Sequence, residues 1–198
     1  MLVVHHRINA AAGLSGIPAS DGTEVDLRTD AGHIILNHEP FGGGERLDAY
    51  LDVYGADRRA PLILNVKEDL LEASAAALCR ARGIDNYFFL DCAFPTLVRL
   101  AHDGFPKAAV RVSAYEPIEM ARGLRGRVEW AWIDCFGGQP LDALLVREVQ
   151  ELGYRICLVS PEIQGRADAL ERHLPLRPLL RPGIDAVCTK LADRWAQR

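Results

Sequence analysis

VEWAWIDCFGGQPLDALLVREVQELGYRICLVS, residues 128–160, sets two runs of strand composition on either side of a helical one. In VEWAWIDCF (128–136) and YRICLVS (154–160) aromatic, β-branched and other apolar residues crowd together, as they do in strands. Between them Leu141, Leu144, Leu145, Val149 and Leu152 recur at helical spacing, and Gly153 stands where a C-terminal cap belongs. The segment reads as strand, helix over 141–152, strand, which is the α/β signature.

The same alternation extends in both directions. Further strands are read at LVVHHR (2–7), TEVDLRT (23–29), PLILNVK (61–67), NYFFLD (86–91), AAVRVS (108–113) and DAVCTK (185–190), making eight. Helices are read at 46–54, 68–82, 95–103, 117–124, 167–173 and 191–197, with none between the first two strands. HIILN (33–37) is either a ninth strand or the far arm of a hairpin that turns at Asp30 to Gly32. Eight such units predict a compact (β/α)8 TIM barrel in one domain over 1–198, near the lower length limit of about 200 residues for that fold. An open doubly wound sheet competes, but its Gly-rich first turn is replaced here by INAAAG.

Composition narrows the function. Hydrophobic residues make up 49% of the 198, enough for a substantial core, so disorder is excluded as the main description. Lys plus Arg is 23 against 27 for Asp plus Glu, a net charge of -4, which suggests neither a nucleic-acid-coating nor a polybasic membrane surface. The apolar runs fall far short of the roughly 20 residues that span a bilayer, and no secretory leader is read at the start. Five cysteines (79, 92, 135, 157, 188) match neither a zinc spacing nor a disulfide framework. Cys135, Cys157 and Cys188 lie in strand-like runs and read as small buried hydrophobes, so a reduced, cytoplasmic setting is expected.

The informative residues end the strands: His5, His6 and Arg7; Glu24 and Asp26; Asn65 and Lys67; Asp91; Ser113 and Glu116; Asp134; Ser160 and Glu162; Thr189 and Lys190. In a barrel these meet at one mouth. Alternation sets Glu24 and Asp26 on one face of their strand, opposite Val25 and Leu27. Paired carboxylates pointing inward repel unless a proton or cation lies between them, and Mg²⁺ or Ca²⁺ prefers such ligands; a pair facing solvent or bridged to an Arg is the alternative. His5, His6, His33 and His38 cluster in sequence around this pair. His6 and His38, on either side of a strand-plus-hairpin excursion, suit one base and one acid in phosphoryl transfer.

HHRIN at 5–9 followed by TEVDLRTDAGHIILNHEPF at 23–41 resembles the glycerophosphodiester phosphodiesterase family of the phosphatidylinositol-phospholipase-C-like barrels, in the manner of a short bacterial member. LNVK (64–67) and GIDAVCTK (183–190) extend the resemblance more weakly along the chain. It implies that His6 and His38 are acid and base, that Arg7 and Lys67 neutralise phosphate charge, and that Glu24 and Asp26 hold a divalent metal, Mg²⁺ or Ca²⁺. The third metal-binding acid of the family falls on Asn65, which offers an amide oxygen without charge; Glu68, Asp91 and Glu116 are substitutes in reach of the same mouth. The family's Gly after His-Arg is Ile8, and AAAGLSGIPASDG (10–22) replaces its Glu-Asn-Thr segment.

The expected partner is a small phosphodiester, hydrolysed with metal assistance. Two alternatives stand beside it: a non-catalytic barrel binding a phosphorylated lipid or sugar, and a metal-independent lyase in which a substrate hydroxyl attacks its own phosphate. Trp130 and Trp132 read as core. SPEIQGR (160–166) reads either as a binding loop with Glu162, Gln164 and Arg166 exposed or as a polar strand-to-helix connection, and GGG (42–44) lacks the lysine of a phosphate-binding loop.

Overall fold

A computed structural model describes residues 1–136, 142–176 and 183–196. Among these the strands are β1 (Leu2–His5), β2 (Gly22–Asp30), β3 (His33–Leu36), β4 (Glu45–Arg46), β5 (Leu62–Val66), β6 (Tyr87–Leu90), β7 (Ala109–Val112), β8 (Trp130–Ile133), β9 (Arg155–Val159) and β10 (Ala186–Thr189). The helices are α1 (Leu47–Tyr54), α2 (Glu72–Ala81), α3 (Phe94–His102), α4 (Ile118–Gly123), α5 (Ala143–Glu151), α6 (Ala167–His173) and α7 (Ala192–Ala196). A single 3-10 turn, Ala11–Leu14, stands between β1 and β2.

Eight strands run parallel in the order β6-β5-β2-β1-β10-β9-β8-β7. The two ends of that order approach through one parallel bridge between Phe89 of β6 and Ala108, the residue that precedes β7. The expected α/β architecture of eight parallel strands with intervening helices is therefore present. HIILN resolves as a hairpin arm: β3 pairs antiparallel with β2, Asp30 opposite His33, and carries the short β4 on its other side.

Alternation along the strands sorts the core into two clusters. Val3, Val25, Leu27, Leu62, Leu64, Phe89, Val110, Ile133 and Leu158 face the helices. Val4, Ile63, Phe88, Leu90, Ala109, Trp130, Trp132, Cys157, Val159, Ala186 and Cys188 face the other way and pack against each other. Both faces are buried, as expected of a parallel sheet. Phe88 stacks on Trp130 at 4.6 Å, reaching across β7, where Ala109 leaves room. The two tryptophans are thus core, as read.

In α5 the buried stripe is Val146 and Val149 with Leu145 and Leu152 packed beside them, while Leu144 is largely exposed. Leu144 lies about a hundred degrees round from Leu145, so the stripe passes it by. Its amide is instead capped by the Asp142 carboxylate. Leu141 and residue 197 lie outside the described residues. Cys157 and Cys188 are buried as read, and burial keeps their thiols protonated; Cys135, beyond the end of β8, is only half-buried. No helix among the described residues is long and apolar enough to cross a membrane.

Gly22 opens β2 at its closest approach to the chain entering β5: a Cβ there would lie 2.1 Å from the Pro61 carbonyl oxygen. Because that neighbour is backbone, it cannot swing aside. Gly22→Ala is expected to lower stability by about 2 kcal/mol in urea unfolding, and an unchanged midpoint would show that the two strands separate freely.

Candidate active site

The inward face of β1 carries Val4, and two residues on, past the strand end, His6 follows the same parity. His5 turns the other way and meets Asp21 at 3.1 Å. Of the adjacent histidines, His6 is the one at the carboxylates, its Nε2 3.7 Å from Glu24 Oε2. The backbone then turns at Arg7, whose φ of 56° is left-handed and unfavourable for a residue with a Cβ. The turn aims the Arg7 amide at Glu24 Oε2, 2.8 Å away, and leaves its Nε 3.6 Å from Asp26 Oδ2.

Glu24 and Asp26 are buried, side by side on the inward face of β2, at 0% and 1% exposure. Both oxygens of Glu24 accept hydrogen bonds, one from Arg7 N and one from Asn65 Nδ2 at 2.8 Å. Asp26 Oδ2 accepts from Asn9 Nδ2 at 2.8 Å, and the Asp26 amide donates back to Asn9 Oδ1. Asp26 Oδ1 has no hydrogen-bond donor and stands 3.5 Å from Lys67 Nζ. Burial first, and the Asp26 charge second, push the Glu24 carboxyl up to about 7. Burial, then the charges of Arg7, Lys190 and Lys67, take His6 down to about 3, so its imidazole is neutral.

His38 sits beyond the hairpin, half-buried, with Nδ1 2.6 Å from Glu39 Oε1. That contact holds the Glu39 carboxyl below its ordinary range. The His38 backbone carbonyl accepts from Arg28 Nε at 3.0 Å, and Arg28 also donates to the Lys67 carbonyl. His38 is near enough for its charge to act on His6. Two positioning residues, Asn9 and Arg28, escape the sequence reading. Arg28 had a signal, since it continues the period-two series of Glu24 and Asp26; Asn9 had only its place in HHRIN.

From Lys67 a chain of charges runs along the strand ends. Lys67 Nζ lies 3.3 Å from Asp91 Oδ2, Asp91 binds Arg111, and Arg111 reaches Asp134 at 2.5 Å and Glu116 at 3.4 Å. Burial raises the Asp134 carboxyl to about 6 despite Arg111. None of the substitutes for the third acid joins Glu24 and Asp26. Glu68 is held by Thr29 and Arg28, Asp91 by Lys67 and Arg111, and Glu116 by Ser113 and Arg111.

The loop at 160–166 also departs from expectation, with Glu162, Gln164 and Arg166 half-buried and turned inward. Glu162 ties down Ser160, Thr189 and the Lys190 amide, Gln164 bonds Asp134, and Arg166 bonds the carbonyls of Cys135 and Phe136.

Among the described residues no group of three His, Cys, Asp or Glu side chains is arranged to hold a metal. The oxygen donors nevertheless suit a hard cation: Asp26 Oδ1 and Asn65 Oδ1 are both buried without a hydrogen-bond partner, beside the Glu24 carboxyl. A cavity of about 640 Å³ lies at the opposite, N-terminal end of the strands against Met1, Ser20, Asp21, Arg59 and Trp195, away from His6 and His38. The histidine, carboxylate and cationic groups gather instead at the C-terminal ends.

The fold has a relative among solved structures. The glycerophosphodiester phosphodiesterase from Agrobacterium tumefaciens strain C58 matches over 100% of both chains with a TM-score of 0.68, at 17% sequence identity. That likeness establishes a shared fold. No protein-family model and no curated protein matches the sequence.

The buried pair makes stability depend on pH. The folded Glu24 carboxyl titrates near 7 and an ordinary one near 4.5, so between those values the folded chain holds a proton that the unfolded chain releases, and stability falls as pH rises. Above that window the term is constant. Glu24→Gln removes it, and the variant is expected to gain on the wild type from pH 4.5 to 7 in paired urea titrations with chelator present. A difference that stays level across the window would contradict this account of the pair.

Proposed function

We propose that the chain is a metal-dependent phosphodiester hydrolase on a closed, compact (β/α)8 barrel, acting on a glycerophosphodiester-like or related small phosphodiester. The observation that carries the reading is the meeting of His6, two buried carboxylates and two cations, Arg7 and Lys67, at the C-terminal ends of parallel strands, where such folds do their chemistry. Closure of the barrel is supported by the Phe89–Ala108 bridge and by an inner cluster drawn from seven of the parallel strands. The solved relative of this fold carries the name of a glycerophosphodiester phosphodiesterase.

In this reading Arg7 and Lys67 offset the charge of the bound phosphate. Glu24, Asp26 and Asn65 would hold a divalent ion, Mg²⁺ or Ca²⁺, which when bound would supply Lewis-acid stabilisation of negative charge on the phosphate. His6, neutral in the free protein, accepts the proton of the attacking water; a phosphate anion beside it favours the imidazolium and restores basicity. His38, oriented by the ionised Glu39, gives a proton to the departing alcohol as the P–O bond breaks. The products are one alcohol and one phosphomonoester.

One observation favours a second reading. Glu24 already accepts two hydrogen bonds from the protein and Asn65 brings no charge, so Arg7 and Lys67 alone would serve the phosphate in a metal-free lyase. A cyclic phosphate product and indifference to chelator would identify it.

Chelator-stripped protein is expected to leave bis(p-nitrophenyl) phosphate and glycerophosphocholine intact, and Mg²⁺ or Ca²⁺ to restore turnover. Glu24→Ala and His38→Ala should each lower that turnover about 100-fold or more with an unchanged circular dichroism spectrum. Turnover surviving both substitutions would refute the assignment.

A further inference from the structure

The sheet has one weak seam. Other neighbouring parallel strands share two to four register pairs, whereas β6 and β7 meet at the single bridge between Phe89 and Ala108. At the C-terminal end of this seam is a cavity of about 450 Å³, within the usual range of small-molecule sites. Its walls come from both clusters of the core: Leu90 from the inner one, Leu97 and Val110 from the outer. Phe94, Met120 and Phe136 complete it.

The lip of the cavity is unusually apolar for a surface. Phe94 is 46% exposed and Phe136 39%, and Tyr115, whose ring lies 6.0 Å from that of Phe136, is 80% exposed. Two successive strand-to-helix connections, through Tyr115 and Phe136, and the first residue of α3, Phe94, each present an aromatic ring to water at one opening, and apolar patches grouped beside a cavity mark binding sites.

The polar end of the cavity belongs to the charge chain of the reaction site. Asp91, Arg111 and Glu116 line it, and Asp91 is joined through Lys67 to Asp26. Arg111 is the one cation among its lining residues, and it is committed to Asp91, Asp134 and Glu116. The cavity therefore offers no spare positive charge for a second anionic group, and its carboxylates are already paired. The lining is divided about evenly between these paired polar groups and apolar side chains, and the apolar part is what a ligand would newly cover.

We infer that the seam cavity is a specificity subsite for hydrocarbon, so that the substrate is a phosphodiester with an alkyl or acyl chain on one of its alcohols. The placing of the phosphate at Lys67 and Arg7 rests on the hydrolase reading above; the cavity and its apolar lip do not.

Calorimetric titration with dodecylphosphocholine below its micelle concentration, and with glycerophosphocholine, compares two phosphocholine esters that differ in the chain. The wild type is expected to bind the alkyl compound at least about tenfold more tightly. Met120→Trp, which narrows the cavity, and Phe94→Asp, which charges its lip, should each abolish most of that preference and leave glycerophosphocholine binding unchanged. Equal affinity of the wild type for both probes, or a preference that survives both folded variants, overturns the subsite. Parallel assays with bis(p-nitrophenyl) phosphate separate the two readings. Chain-dependent binding by a protein that hydrolyses nothing supports the subsite and counts against the hydrolase, whereas turnover without chain dependence does the reverse.

Discussion

Two carboxylates buried side by side on one strand set the terms for everything around them. An ionised carboxylate taken out of water is costly unless it is paired and hydrogen-bonded, and Glu24 and Asp26 must be satisfied together within reach of each other's charge. The chain recruits donors from three places to do so: the Arg7 amide and Asn9 after β1, and Asn65 and Lys67 on and after β5. Arg7 takes a left-handed backbone conformation, a strain of about 1–2 kcal/mol for a residue with a Cβ, and that bend is what delivers its amide to Glu24. Asn65 belongs to the same solution. A third acid at this position would add repulsion, whereas the amide donates to Glu24 and keeps its oxygen free.

The charges spread outward because each partner needs a partner. Lys67 is shared between Asp26 and Asp91, and Asp91, itself at a φ of 58°, is shared with Arg111. Arg111 then gathers Asp134 and Glu116. The network pairs off the polar groups at the strand ends, including Asp91, Arg111 and Glu116 on the β6–β7 side, where the surface between them and the helices is apolar. Packing points the same way: Phe88 stacks on Trp130 over the small Ala109, and β7 bridges to β6 at one residue pair. The buried carboxylates on one side and the aromatic-lipped cavity on the other thus share Asp91 as a boundary.

The order of strands and helices was legible because each strand is buried on both faces and each helix on one, so hydrophobic pattern and turn residues carry the message directly. Every one of the eight strands and seven helices read from the sequence has a counterpart among the described residues. The misreadings are of a different kind. Leu144 fits a helical repeat yet faces outward, since a repeat of leucines does not say which stripe meets the sheet. Glu162, Gln164 and Arg166 look like an open binding loop, but neighbours distant in sequence satisfy them. Glu68, Asp91 and Glu116 are alike in the sequence as candidates for a third acid, and only their partners in the fold tie them elsewhere.

The sequence by itself determined the α/β alternation, the placing of Glu24 and Asp26 on one face of their strand, and the clustering of histidines around them, because these follow from periodicity and residue chemistry within a few positions; that the pair faces inward was decided by the fold. Tertiary structure alone decided that His6 rather than His5 meets the carboxylates, that Asn9 and Arg28 position the site, and that Asn65 tethers Glu24. It also decided that the sheet thins to one bridge between β6 and β7. Strand register and the packing of large rings against small residues govern those outcomes, and both are settled between segments far apart in the chain.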